Sequence, residues 1–239
     1  MVVSTNAVVF SSIKYGEADL IVSCYTEIYG LKSYLLRGIL KSRKGKLRVS
    51  YFQPLTQLEL TATHRDKGTL ERIQEAKVLH PYKTLHTDVV KSGIVMFLSE
   101  MLKTSIQEEE ANINLYGYIR EALIWLDGNN NVANFHILFL LNLTSYLGFY
   151  PDTDSSEKKF FNLQEGNFED SPFGTSSEAG SNVEALKQFF GIDFDALDRI
   201  KLVKTTRSDV LNLILKYYQL HLQAYRKPKS LLVLNQLFN

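Results

Sequence analysis

Apolar and β-branched side chains alternate with polar ones along the first 80 residues, in short runs broken by glycine, the pattern of half-buried strands. Five runs are predicted as strands: Thr5 to Tyr15, Leu20 to Ile28, Leu31 to Gly38, Gln53 to Ala62 and Thr69 to Leu79, with Gly16 and Gly30 at the first two turns. So many strands in so short a stretch leave no room for crossover helices. The sheet is therefore expected to be antiparallel and to curl into a small barrel. The stretch from Lys41 to Arg48 is too charged for a core and too long for a tight hairpin, so it is expected to be exposed.

After His80-Pro81 the period changes from 2 to 3.6, which places a domain boundary there. Asp88 to Ser105 gathers Val90, Ile94, Phe97, Leu98, Met101 and Leu102 on one helical face. Asn112 to Asp127 does the same with Leu115, Ile119, Leu123 and Leu126, and Gly128-Asn129 is a stop signal. Asn131 is the expected cap of a third helix, apolar through Phe135, Leu138, Phe139 and Leu143, that stops at Gly148 ahead of Pro151 and belongs at the centre of the core. Residues 152–181 are rich in Ser, Asp, Glu, Gly and Asn around a short apolar patch at Phe160, Phe161 and Leu163, and read as a surface excursion with one hairpin. Two shorter helical stretches follow. A last long helix is predicted over Ser208 to Tyr225, with Leu211, Ile214, Leu215, Tyr218 and Leu222 inward and Pro228 after its end. The predicted class is α+β: an antiparallel barrel over residues 1–80, then an all-helical domain over residues 81–239 with a small cysteine-free insert at about 152–181.

Composition narrows the setting. A chain with 45% hydrophobic and 22% charged residues has the balance of an ordinary water-soluble globular protein. Its longest apolar runs, around 137–143 and 231–234, fall far short of the roughly 20 residues that cross a bilayer. The N-terminus lacks the features of a secretory signal, so a cytoplasmic location is expected. Cys24, the one cysteine, can form neither an internal disulfide nor a multi-cysteine metal site, as suits a reducing compartment.

The net charge of +1 conceals segregation. Residues 1–80 carry 12 Lys and Arg against 7 Asp and Glu, residues 152–198 carry 11 acids against 3 bases, and residues 199–229 carry 8 bases against 1 acid. Between Arg37 and Arg48 six bases, Arg37, Lys41, Arg43, Lys44, Lys46 and Arg48, stand without an acid. That density suits a polyanion, because each phosphate neutralised releases condensed counterions. Tyr34, Tyr51 and Phe52 lie close by in sequence and are candidates to offer ring faces to unstacked bases. The plainer alternatives are a solvated loop that serves solubility and aromatics that belong to the core or sheet surface. Arg226, Lys227 and Lys229, with Lys216 before them, either extend the basic track or favour a helix C-terminus through its dipole.

Catalytic signatures are scarce. The chain has no phosphate-binding loop of Walker type, no GxGxxG, no GxSxG and no HExxH, and its histidines, His64, His80, His86, His136 and His221, lack ligand spacing. His136, on the most apolar helix, reads as a satisfied core residue, and His80 and His86 flank the boundary closely enough to approach one another. The expectation is a protein that is not an enzyme.

An ordered set of short motifs carries a resemblance. Tyr15-Gly-Glu-Ala-Asp19, Tyr29-Gly-Leu, Arg37-Gly followed by the basic loop, Phe52-Gln-Pro-Leu, then Leu140-Leu-Asn-Leu through Gly148-Phe-Tyr-Pro151, and Lys229-Ser-Leu near the end, together resemble the RecO family of bacterial recombination mediators. The resemblance spans nearly the whole chain. It implies an OB-fold followed by a helical domain, and a role in DNA repair and recombination: binding single- and double-stranded DNA, annealing complementary strands, acting with RecR, meeting the tail of single-strand-binding protein, and so helping RecA indirectly. Many family members carry a four-cysteine zinc site in the insert; here that stretch begins Asp152-Thr-Asp-Ser-Ser156 and holds no cysteine, so no zinc is expected. Phe160, Phe161, Phe168 and Phe173 are then the residues expected to hold the insert on the helices.

The mechanism these readings favour is charge neutralisation with stacking and no cofactor. Lys41, Arg43, Lys44, Lys46 and Arg48, with Arg37 and Lys32 behind them, are expected to screen phosphates while Tyr34 and Phe52 stack bases, so that two strands can meet on one protein. The acidic and apolar helical surface is left for protein partners. Two other readings stand beside it: an RNA- or ribosome-associated OB-fold adaptor, which competition between DNA and RNA distinguishes, and a hydrolase with residues between the domains, which a turnover assay distinguishes.

Overall fold

Alternation in the first part of the chain resolves into β1 (Val2–Tyr15), β2 (Asp19–Thr26), β3 (Gly30–Leu36), β4 (Gln57–Thr63) and β5 (Arg72–Val78). The computed structural model describes residues 1–42, 46–65, 70–107, 110–172 and 174–238. The strands form one antiparallel sheet in the order β3-β2-β1-β4-β5. β1 is 14 residues long because it serves two partners, its first half pairing with β4 and its second with β2. A bulge between Val9 and Ser11 falls where the pairing changes hands, and bulges bend a strand as a curling sheet requires.

This is the five-stranded OB-type sheet expected, with one correction: the barrel is not closed. β3 and β5 meet at a single parallel bridge, Tyr34 with Glu71. There the Leu35 N–H donates to the Glu71 carbonyl at 2.9 Å and the Glu71 N–H to the Ser33 carbonyl at 2.8 Å. Beyond the bridge the two edges separate around a groove lined by Leu36 on one side and Ile73 on the other.

Inward positions of the sheet, among them Val9, Val22, Cys24, Leu36, Leu58 and Leu60, make one buried cluster. The fourth strand was expected from Gln53 and starts four residues later. Residues 49–52 form a 3₁₀ turn, Pro54 follows, and Leu55 takes a positive φ of 61°. The Leu55 N–H donates to the Val9 carbonyl at 2.7 Å and the Val9 N–H to the Thr56 carbonyl at 3.0 Å, which seats this corner against β1. The predicted start of the fifth strand, Thr69, lies outside the described residues.

Secondary structure changes from strand to helix after β5, while compactness divides the chain later, into Met1–Gly128 and Asn129–Asn239. The first unit therefore also contains α1 (Val89–Ser105) and α2 (Ile113–Gly128). Asp88 caps α1 by accepting the Lys91 N–H at 2.9 Å. α1 packs on β1, where the Ser99 hydroxyl donates to the Phe10 carbonyl at 2.7 Å. The join between sheet and helices is held by Asp127. Its carboxylate accepts the backbone N–H groups of Lys83, Thr84 and Leu85, and the buried Lys91 amine donates to the Asp127 carbonyl at 2.8 Å.

The second unit is built around α3 (Phe135–Tyr146), buried along almost its whole length. It contains β6 (Phe160–Asn162), β7 (Asn167–Glu169), β8 (Ser177–Glu178), α4 (Ser181–Lys187), a 3₁₀ turn at Phe194–Arg199, α5 (Lys204–His221) and α6 (Leu231–Leu237). Two expectations are corrected. Asn131 does not cap α3: its amide donates to Asp198, and Asn134 holds the cap position while its side chain serves the Ile200 carbonyl and the Arg207 guanidinium. The long helix runs from Lys204 to His221, because Arg207 pins the first turn through Asn134 and the Leu202 carbonyl. It is the last long helix, as expected, and the short α6, which was not expected, follows Pro228.

The insert is a three-stranded sheet in the order β7-β6-β8, where one hairpin was expected. Phe161 and Phe168 stack with centroids 4.9 Å apart, Phe161 meets Tyr217 of α5, and the Lys187 amine sits over the Phe168 ring. Gly166 has a positive φ of 71° and passes directly against the Tyr217 hydroxyl, leaving no space for a Cβ.

Candidate nucleic-acid interface

The end of β3 delivers the basic loop. Gly38, at a φ of 68°, turns the chain out of the sheet, and its N–H donates to the Asp19 carboxylate at 2.7 Å, tying the loop to the β1–β2 hairpin. Arg37, Lys41, Lys46 and Arg48 are exposed; Arg43 and Lys44 lie outside the described residues. Leu47 turns back onto the sheet core and anchors the far end.

Two of these cations have acidic neighbours, one in the β1–β2 turn and one on β5. Lys41 Nζ lies 3.1 Å from Glu17 and Lys46 Nζ lies 2.6 Å from Glu75, both pairs in water. The hydrogen bond from Lys46 holds the Glu75 carboxyl below its ordinary value, and the same bond raises the Lys46 amine. Pairs this exposed are weakly held, so a phosphate can replace the carboxylate at small cost.

Where β3 and β5 separate, a groove of about 870 Å³ opens. Four cations line it, Arg37, Lys46, Arg65 and Arg72, with Glu71 as the acid and Leu35, Leu36 and Ile73 among its apolar residues. Glu71 is buried, and both of its oxygens accept the Arg65 N–H at 2.9 Å. The groove thus joins a positive edge to an apolar wall. Sequence reasoning missed Arg65 and Arg72. They flank the β4–β5 turn, far along the chain from the basic run, and only the approach of β5 to β3 brings them near it.

The two aromatics expected to stack bases are corrected. Tyr34 is 0% exposed and Phe52 1% exposed, both in the sheet core. The Tyr34 hydroxyl lies 2.9 Å from His64 Nε2, and burial pushes its ionisation far above the ordinary range. Neither ring offers a face to a base. The strand parity of Tyr34 was readable, since it alternates with Leu36 on the inward side of β3, whereas Phe52 ends a 3₁₀ turn and has no such signal. Tyr51 is partly buried against the same cluster. Lys32 is half-buried opposite Cys24 in mid-strand, away from the groove's lining.

The histidines do not assemble a reactive group. The Tyr82 ring stands edge-on between His80 and His86, and His86 Nε2 meets the Pro54 carbonyl at 2.9 Å. His136 is buried beside the Phe238 ring; burial, helped by Arg207, lowers its pKa to about 3. Among the described residues no group of three or more His, Cys, Asp or Glu could hold a metal ion. The zinc of the family's insert does not fit this chain: residues 152–181 hold no cysteine, Cys24 is buried in the N-terminal sheet, and aromatic packing fills the insert's interior. Among the described residues no helix is long and apolar enough to cross a membrane.

An OB-type antiparallel sheet bearing a basic loop and a cationic groove, followed by a helical region, defines the class. The comparisons sharpen it. Residues 1–82 match the family described as Recombination protein O N terminal, and residues 86–231 match Recombination protein O C terminal. The protein named DNA repair protein RecO of Christiangramia forsetii is 50% identical over 238 residues, all of both chains. Its namesakes from Flavobacterium psychrophilum and Bacteroides fragilis are 45% and 33% identical, again over the full length of both chains. The chain belongs to the RecO family of DNA repair proteins.

Proposed function

We propose that this chain is a non-enzymatic recombination mediator that binds single- and double-stranded DNA, anneals complementary strands and, with RecR, assists loading of the recombinase RecA. In this reading residues 1–80 carry the DNA contact, and the helical residues 81–239 serve RecR and the tail of single-strand-binding protein, in the cytoplasm beside the nucleoid. The observation that carries it is the convergence of Arg37, Lys46, Arg65 and Arg72 on one groove beside the exposed Lys41 and Arg48. Arg43 and Lys44 of the same loop complete the assignment, and Lys32 is kept as a peripheral contact.

Annealing is a problem of repulsion. Two strands approach only when their phosphates are screened, and a dense set of cations does this without breaking a bond. No nucleotide or metal is required. Mixing complementary labelled oligonucleotides and following energy transfer tests this directly. The purified chain is expected to accelerate pairing without ATP, and changing Lys41, Arg43, Lys44, Lys46 and Arg48 together to Ala is expected to abolish most of the acceleration. Pairing no faster than in buffer would remove the annealing role. Preferential displacement of DNA by RNA in competition would favour an RNA-associated adaptor instead.

A further inference from the structure

On β1, β2 and β3 the side chains pointing away from the sheet core form two cross-strand rows. Ile13, Ile21 and Leu35 stand in register in one, and Ser11, Ser23 and Ser33 in the next. Further along the same face Phe10 and Tyr25 are buried and stacked on each other, and α1 packs where Phe10 lies. The helices therefore cover one half of this face and leave the other bare. Ile13 remains 52% exposed and Tyr15, two residues on at the hairpin tip, 55% exposed. Ile21, Leu35 and the three serines are each partly exposed.

No charged side chain stands within either row, while charge surrounds them. Arg37 lies one residue past the end of β3, and it and Leu35 both also line the cationic groove. Lys41 reaches Glu17, two residues beyond Tyr15. Neighbouring strands lie about 4.8 Å apart, so a three-strand row is about 10 Å across, enough for one unpaired base. Tyr15 faces Asp19 across the hairpin, where the Asp19 carboxylate is engaged by the Gly38 N–H. An uncharged strip thus ends in an aromatic ring with Arg37 and Lys41 near its border, an arrangement that matches a single strand, which presents bases and phosphates side by side. A duplex keeps its bases inside.

We propose that Tyr15, with the Ile13–Ile21–Leu35 row, is a base-stacking ledge that makes the interface favour single strands over duplex. This rests on the DNA-binding reading above. The ledge takes the base while Arg37 and the loop take the phosphates, so its contribution does not depend on salt.

Anisotropy titrations of the full chain with a labelled thymidine oligonucleotide and with a matching duplex, each at several salt concentrations, test it on Tyr15→Ala and Tyr15→Phe. The alanine variant is expected to bind the single strand about tenfold more weakly. Its salt slope and its duplex affinity should match wild type, and phenylalanine should keep most of the affinity. A base analogue placed in the oligonucleotide should lose its quenching only with Tyr15→Ala. Unchanged single-strand affinity in Tyr15→Ala, equal losses on both DNAs, or an equal loss in Tyr15→Phe would overturn the ledge while leaving the DNA interface standing. Wild type that binds neither DNA would instead remove the underlying reading, and the ledge with it.

Discussion

Lys46 lies 2.6 Å from Glu75 and Lys41 lies 3.1 Å from Glu17, so the most basic stretch of the sequence is partly neutralised by its own fold. A phosphate must compete with these carboxylates. Changing Glu75 to Gln is therefore expected to tighten DNA binding and to steepen the dependence of log affinity on log salt by up to about one, as one more cation becomes available; salt-titrated anisotropy reads it. Tyr34 shows the opposite case, a residue that looked functional and is structural. Tyr34→Phe removes the bond to His64 and is expected to cost about 1 kcal/mol in urea unfolding with no change in DNA affinity. His136 gives a pH dependence. Its pKa in the fold is about 3, against about 6.5 in an unfolded chain, so protons bind the unfolded state preferentially. Stability is whole above about pH 6.5 and falls as the pH drops toward 3, by up to about 1.4 kcal/mol per pH unit. Denaturation at pH 7 and pH 5 should show the loss, and His136→Leu should flatten it.

At the scale of elements, Asp127 and Gly166 hold the joints. The Asp127 carboxylate is pushed up by burial, but hydrogen bonds from Lys83, Thr84 and Leu85 outweigh that and hold it below its ordinary value. Asp127→Ala removes the acceptor of three backbone N–H groups, while the Lys91 amine keeps the main-chain carbonyl at that position, with an expected cost of about 3 kcal/mol. Gly166→Ala meets both a positive φ and the Tyr217 hydroxyl, and is expected to loosen the insert, raising its protease sensitivity while the N-terminal sheet stays intact. Which of these elements the sequence revealed depends on their length and partners. Val89–Ser105 was legible because a buried face imposes its period on the side chains, and Phe135–Tyr146 because an apolar run of that length, stopped at Gly148, suits a helix buried all round. The short α6 was not, since a run such as Leu231–Leu234 shows no face of its own and becomes helical only against its neighbours. The cap of α3 fell to Asn134 instead of Asn131 because the Ile200 carbonyl and Arg207, distant in sequence, claim its side chain.

For the molecule as a whole, charge segregation was readable and its geometry was not. The described bases of the run, Arg37, Lys41, Lys46 and Arg48, are exposed as expected while Ile39 and Leu47 pack inward, yet Arg65 and Arg72 joined them only through the meeting of β3 with β5. Nearness along the chain placed Tyr34 and Phe52 beside the loop, whereas strand parity sends Tyr34 inward and leaves Tyr15 and Ile13 outside. The barrel was expected to close, and its incomplete closure is what opens the groove. The central claim is that this groove and loop form the DNA interface. Its most direct test is the affinity of a labelled single-stranded DNA, measured from low to moderate salt, for wild type and for a variant with Arg37, Lys46, Arg65 and Arg72 changed to Ala. The account predicts that the variant binds more weakly at every salt concentration, with a slope shallower by about 0.7 for each phosphate that is no longer neutralised; equal affinities and slopes for the two proteins would contradict it.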